Sequence, residues 1–442
     1  MRMEERIEFT KEMKKDYTIL FPNMADIQFR FLCKVFRGFG YQTELLTETG
    51  RRIVDVGLKY VHNDTCYPAL LTIGQLIDAL DSGRYDVNKT ALMMTQTGGG
   101  CRASNYIFLL RKALKKAGYG QVPVISINFA GLEKNSGFTW TLPLIRRALA
   151  AMIYGDLLML LANQTRPYEV NKGESDALVE AWITDLSARF EKKQALGQRA
   201  MANVMKEIAA SFAKIEIQKI PLPKVGIVGE IYVKYSPLGN NELEKFLRSQ
   251  GCEVMVPGIM GFLQYSVENM LIDVKLYGGS AVRRRILEIV KRYFAGFETA
   301  LLDAVRSVGC FEAPTPFAEM KRMGEAFIGE GCKMGEGWLL TAEMVELTES
   351  GYGNIVCAQP FGCLPNHIVG KGMIRRRKEV YPSSNIVAID YDPGATKVNQ
   401  ENRIKLMLAV ARENLREENG IKKTEGTQKT VPSEEKKQLL TR

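Results

Sequence analysis

A chain of 442 residues, 46% hydrophobic and 25% charged, can bury two or three cores of ordinary size and is far from the composition of disordered or collagen-like chains. Sixty Lys and Arg against fifty Asp and Glu leave a net charge of +10, but no zinc-finger spacing, RNA-binding signature or basic-aromatic interleaving points to nucleic acid. No run of about 18 uncharged apolar residues reads as a membrane span, and the opening MRMEERIEFTKEMKKDY alternates charges where a leader would be apolar, so the expected compartment is the cytoplasm.

In chain order, DYTILFPNM (16–24) is a short apolar run closed by Pro22 and Asn23, which predicts a buried strand. ADIQFRFLCKVFRGFG (25–40) has apolar residues at helical spacing and stops on glycines, and YQTELL (41–46) reads as the next strand. The alternation continues through a helix over 69–85, a strand over 89–97, a helix over 104–120 and a strand over 122–129. Residues 1–137 are thus expected to form a doubly wound parallel α/β lobe. From 138 to 215 the pattern is predominantly helical and reads as a bridging region. A second α/β lobe is expected over 216–416. It opens at KVGIVGEIYVKY (224–235), continues with a helix over 240–251 and a strand over 252–259, and is interrupted by helices near 262–328. It resumes with a helix over 337–351, strands over 354–360 and 385–392, and a last helix over 398–416. Residues 417–442 are polar, of mixed charge and short of apolar anchors, and read as a disordered tail.

Eight cysteines in a large cytosolic-type chain are not a disulfide framework, which leaves metal binding, redox chemistry or burial. Cys66 in HNDTCYP and Cys363 in CLPNH each stand two residues before a proline and four from a histidine, and His62 and His367 are the only histidines. Proline stiffens such a turn and preorganises a thiolate ligand. Cys101, in TQTGGGCRASNY, follows a predicted strand and opens a helix, at the sheet edge where open α/β folds bind ligands. The segment has neither Walker spacing nor G-x-G-x-x-G, so a phosphate loop is the weaker reading. Three glycines allow close backbone approach, and a helix N-terminus favours a thiolate. Cys357 lies six residues before Cys363 toward the end of a strand. Cys33 and Cys252 fall in apolar patterns and read as core, while Cys310 and Cys332 lie in Gly/Pro-containing loops. Thiolate-rich, imidazole-poor ligation favours zinc or an iron–sulfur cluster. Zinc usually takes local Cys pairs, whereas ligands delivered singly from several strand ends suit a cluster. A cysteine nucleophile would explain one of these residues and leave the rest unused.

The segments NDTCYPALLTIGQLI, TQTGGGCRASNY, GEGWLLTAEM and QPFGCLPNHIVGKG resemble the 2-hydroxyacyl-CoA dehydratase and benzoyl-CoA reductase superfamily, and within it the iron–sulfur part of activase-related proteins. The resemblance spans roughly 16–410 and implies two flavodoxin-like lobes holding an oxygen-sensitive cluster. It makes Cys66, Cys101 and Cys363 the first ligands and Cys357 the next. The cluster is either [4Fe-4S] or the double-cubane [8Fe-9S], and counting Cys310 and Cys332 gives six loop cysteines for the latter. It also implies a separate ATP-hydrolysing activase, a homodimer, a small-molecule substrate and reductive chemistry of dehydratase or reductase type. No nucleotide is expected on this chain itself. Backbone amides around Gly98, Gly99, Gly100 and Gly362 are candidates for tuning the cluster, and His62, His367 and Glu336 are candidate acids. Glu336 has a helix-start role as its plainer reading. Two other readings stay open: a non-catalytic cluster-bearing carrier or scaffold, and a zinc-stabilised binding module.

Overall fold

The computed structural model describes residues 6–97, 100–127, 133 and 135–424. The first sheet is built from β1 Thr18–Pro22, β2 Gln42–Leu46, β3 Thr90–Thr95 and β4 Val124–Ile127, in the order β2-β1-β3-β4. The second repeats that plan with β5 Lys224–Gly229, β6 Glu253–Met255, β7 Asn354–Pro360 and β8 Asn385–Tyr391, in the order β6-β5-β7-β8. Every pairing is parallel, as expected of two doubly wound lobes. Helices cover the sheets, so β1 and β7 are buried almost end to end, and their sequences are correspondingly continuous apolar runs. Strand order reverses between β1 and β3 and again between β5 and β7. The carboxyl ends at those reversals are where such sheets leave a crevice.

Several elements depart from the sequence expectation for local reasons. In KVGIVGEIYVKY the strand stops at Gly229, whose φ is +148° and whose hypothetical Cβ would lie 1.8 Å from the Ala358 carbonyl oxygen. The chain turns there, and Glu230 caps a short helix, Ile231–Tyr235, instead of extending the strand. Between β2 and β3 the crossover holds two helices, not one: Arg51–Tyr60 precedes Tyr67–Asp81. They cross closely because Gly57 and Gly74 have no side chain; a Cβ on Gly74 would stand 2.4 Å from the Ile53 carbonyl oxygen. The last helix, Lys397–Thr424, runs past residue 416, because ARENLREE is rich in helix formers and needs no apolar anchor after the buried Ala411. Residues 425–442, the remainder of the expected tail, lie outside the described residues.

The bridging region contains helices Leu142–Thr165, Glu174–Glu191 and Gln198–Phe212. From Ala150 onward the first of these is buried all round, the mark of a central helix. Asp156 on it accepts hydrogen bonds from Gln28 Nε2 (2.8 Å) and from the amides of Ile259 (3.1 Å) and Met260 (2.8 Å), tying both lobes to the bridge. The lobes also share a core directly. Ile53, Val54, Tyr67, Leu70 and Leu71 from the crossover helices pack in one apolar cluster with Val225, Ile227, Tyr232 and Val356. Among the described residues no helix is long and apolar enough to cross a membrane.

Candidate metal centre

That shared core presses the start of helix Tyr67–Asp81 toward the second lobe. Cys66 is its N-cap residue, with Pro68 in the first turn, where a missing N–H costs nothing. Cys363 repeats the arrangement: it N-caps Leu364–Val369, with Pro365 in the first turn. The two Cys-x-Pro motifs are therefore two helix starts. Cys101 N-caps a single 3-10 turn, Arg102–Asn105, that leads into helix Tyr106–Ala117. All three thiols are half-buried, and Cys66 feels the charges of both Cys101 and Cys363. Glu230, at the carboxyl end of β5, acts on all three. The site thus gathers residues from both lobes around the two strand-order reversals.

Helix starts favour thiolates, but burial outweighs that effect here. It pushes the Cys66 thiol up to about 12, with the Glu230 charge adding to the rise. Cys363 is likewise raised to about 12, chiefly by burial, against the pull of the Asn366 amide. Burial also raises Cys101, while the amides of Ala103 and Arg102 draw it down. At Cys101 the amides of the turn favour the thiolate, as a helix start should, but burial outweighs them, and a positive charge placed among the three sulfurs would shift the balance back. Glu230 is itself raised to about 8 by burial and by the neighbouring Glu336, although the Val233 amide donates to it at 2.8 Å.

Hydrogen bonds organise the sulfurs. Tyr106 O–H donates to Cys66 Sγ at 3.1 Å, and Asn366 Nδ2 donates to Cys363 Sγ at 3.3 Å. The same Asn366 nitrogen donates to Glu336 Oε2 at 2.7 Å, while Glu336 Oε1 accepts from the Ile231 amide at 3.0 Å. Glu336 does serve a helix start, but that of Ile231–Tyr235, not of its own helix. Glu230, Tyr106 and Asn366 were not singled out from sequence. The acid directly after a strand-ending glycine in KVGIVGE was the one available signal for Glu230; Tyr106 and Asn366 read as ordinary helical positions.

The remaining candidates separate. Cys357 lies in the middle of β7, wholly enclosed with Val228, Leu340, Met344, Ile355 and Val369. Burial raises its thiol to about 12, and its charged neighbours are Asp390, Arg377, Glu343 and Glu336, none of them a cysteine. It belongs to the core behind the site. Cys310 and Cys332 are exposed. Cys332 lies on the loop before helix Gly337–Glu349, and Met334 of that loop fills the space beside Gly100, where a Cβ would come 2.6 Å from the Met334 sulfur. Gly100 thus clears a side chain of the other lobe. Gly98 and Gly99 lie outside the described residues. Gly362, at φ +75°, donates its amide to His367 Nε2 at 3.2 Å, so His367 braces the Cys363 turn. Phe361 packs edge-on against the same ring. His62 is largely exposed, paired with Asp64, and lines a small hollow with Cys66, Arg102 and Tyr106.

Among the described residues no group of three or more His, Cys, Asp and Glu side chains closes around a single-ion position. What the site offers is three soft donors from three segments, within electrostatic reach of one another and set in an acidic field. Those properties fit a multi-iron core, whose positive charge would favour the thiolate forms that burial and the nearby carboxyl groups disfavour. No protein-family model matches the sequence, and comparison with curated proteins finds no match.

Proposed function

We propose that the chain is an iron–sulfur protein in which Cys66, Cys101 and Cys363 hold the cluster, receiving low-potential electrons from an ATP-hydrolysing activase on a separate chain for reductive chemistry on a small substrate. The observation that carries this reading is the convergence, from both lobes, of three half-buried thiols under the influence of one buried carboxyl group, Glu230. When bound, the cluster would supply one-electron storage at low potential. The residues around it have definable tasks. Tyr106 and Asn366 donate to sulfur, which stabilises added negative charge there. Glu336 fixes the amide of Asn366. Burial and the neighbouring Glu336 raise the Glu230 carboxyl, so it holds a proton beside the thiols more readily than an ordinary glutamate. Three converging cysteines support a four-iron core with one position not taken by thiol. A double cubane would also draw on Cys310 and Cys332, which are exposed, and on Cys357, which is enclosed in the core behind the site.

Anaerobic reconstitution with iron and sulfide, followed by metal and sulfide analysis and electron paramagnetic resonance of the reduced protein, tests this reading. The expected result is about four iron and four sulfide per chain, lost or converted in Cys101→Ala. A folded, iron-free protein after reconstitution overturns it. Stoichiometric zinc without sulfide would replace it with the zinc-stabilised module, and reduction by an activase with no turnover of any reducible substrate would leave a carrier.

A further inference from the structure

Helices Ile259–Tyr277 and Ala281–Arg306 form an antiparallel hairpin. One side of the second helix packs into the central core through Phe297, Leu301, Leu302 and Val305. Its first half presents another seam to solvent: Val282, Ile286, Ile289 and Tyr293 are all exposed. Their spacing of four, three and four is that of successive d and a positions of a heptad, and at 3.6 residues per turn they fall within an arc of about 60°. On the facing helix Met270, Leu276 and Tyr277 are exposed as well. Such a narrow seam matches a helix, whereas membrane-surface helices expose a face of roughly 100° or more.

The charges beside the seam point to the occupant. With Val282 at d, the flanking e and g positions are Arg283, Arg285, Val290 and Arg292. Elsewhere on the helix Arg284 pairs with Glu288 and Lys291 with Glu268. Arg283, Arg285 and Arg292 make no ion pair among the described residues. Self-pairing in either orientation would set no carboxylate opposite these guanidiniums. We infer that the exposed face of this hairpin is a docking site for a helix of another protein whose apolar seam is flanked by aspartate or glutamate. The pairing would bury Ile286 and Ile289 at its centre and neutralise the three arginines at its rim. This does not depend on the metal centre.

The test uses the full chain and a fluorescently labelled synthetic peptide of three heptads, with Leu at a and d and Glu at e and g; an otherwise identical peptide carries Lys at e and g. Anisotropy titrations should show the Glu peptide binding and the Lys peptide not, with affinity falling as salt rises. Ile286→Ser/Ile289→Ser should weaken binding at least about tenfold. Both positions are exposed, so thermal melting should be little changed. Arg283→Glu/Arg285→Glu/Arg292→Glu should transfer the preference to the Lys peptide. No binding of the Glu peptide at concentrations on the order of 100 μM overturns the inference. So does equal binding of both peptides, or recruitment to phosphatidylserine vesicles in preference to the peptide. Finally, dissociation of a wild-type dimer by the serine pair without any peptide binding would assign the face to a second copy.

Discussion

Tyr106 donates its phenol hydrogen to the sulfur of Cys66 across 3.1 Å, joining the helix that follows the Cys101 loop to the helix that Cys66 begins. The bond links two of the three converging segments and is made to the charged form of the thiol more strongly than to the neutral form. Tyr106→Phe should therefore cost less than about 1 kcal/mol of stability, since a thiol is a weak acceptor. It should nevertheless slow alkylation of Cys66 at fixed pH. In cluster-loaded protein the same change should move the midpoint potential to more negative values without loss of iron. A potential that does not move would remove Tyr106 from the tuning role.

Thiol reactivity separates the eight cysteines. At pH 7.5 and without metal, exposed Cys310 and Cys332 should alkylate first, and Cys66, Cys101 and Cys363 slowly, because burial raises all three thiols. Cys33, Cys252 and Cys357 should react only on unfolding. Cys357→Ala should cost roughly 1–2 kcal/mol through the cavity it leaves, with iron uptake unchanged. Peptide mapping after timed alkylation, with iron analysis of the variant, checks both statements. Iron loss in Cys357→Ala with normal stability would return that residue to the ligand set.

Asp156 supplies a pH dependence with a definite sign. Burial lifts its carboxyl from 3.8 to about 6, despite the Met260 and Ile259 amides and Gln28 that donate to it. Between those values the folded chain keeps a proton that the unfolded chain has lost. The contribution to stability is therefore greatest below pH 4, declines as pH rises to about 6, and is flat above, a total change of about 3 kcal/mol. Denaturant titrations of wild type and Asp156→Asn across pH 4–7 should show the difference between them drifting by that order, in favour of the variant as pH rises. A constant difference would mean that Asp156 titrates normally.

Two glycines, one ending a strand and one in the loop after a strand, should respond to alanine to very different degrees. At Gly229 the new Cβ meets backbone, 1.8 Å from the Ala358 oxygen, and φ is +148°. At Gly100 it meets the sulfur of an exposed methionine, Met334, which can swing away. Gly229→Ala should cost more than about 3 kcal/mol or prevent folding, and Gly100→Ala less than about 1 kcal/mol. Thermal melts of the two variants give the comparison directly.

Local pattern determined much of this protein. Continuous apolar runs such as TILFP and NIVCAQP specify buried parallel strands, glycine stops punctuate the helices between them, and the repeated alternation specifies two α/β lobes. The pairing of Cys66 with Cys363 was also legible, since both precede a proline that can open a helix, and Cys33 and Cys252 read correctly as core. The tertiary structure decided which of these residues meet. Glycines Gly57 and Gly74 let the crossover helices close up, and Leu70 and Leu71 carry them onto the second sheet, which sets Cys66 beside Glu230 and within reach of Cys363. Cys357 follows the same local rules as a ligand at a strand end, yet its register opposite Val228 and Ala388 turns it into the core. The charge state of the thiols was likewise beyond the sequence. A helix start predicts thiolates, while burial between two lobes, a property of no single segment, raises them.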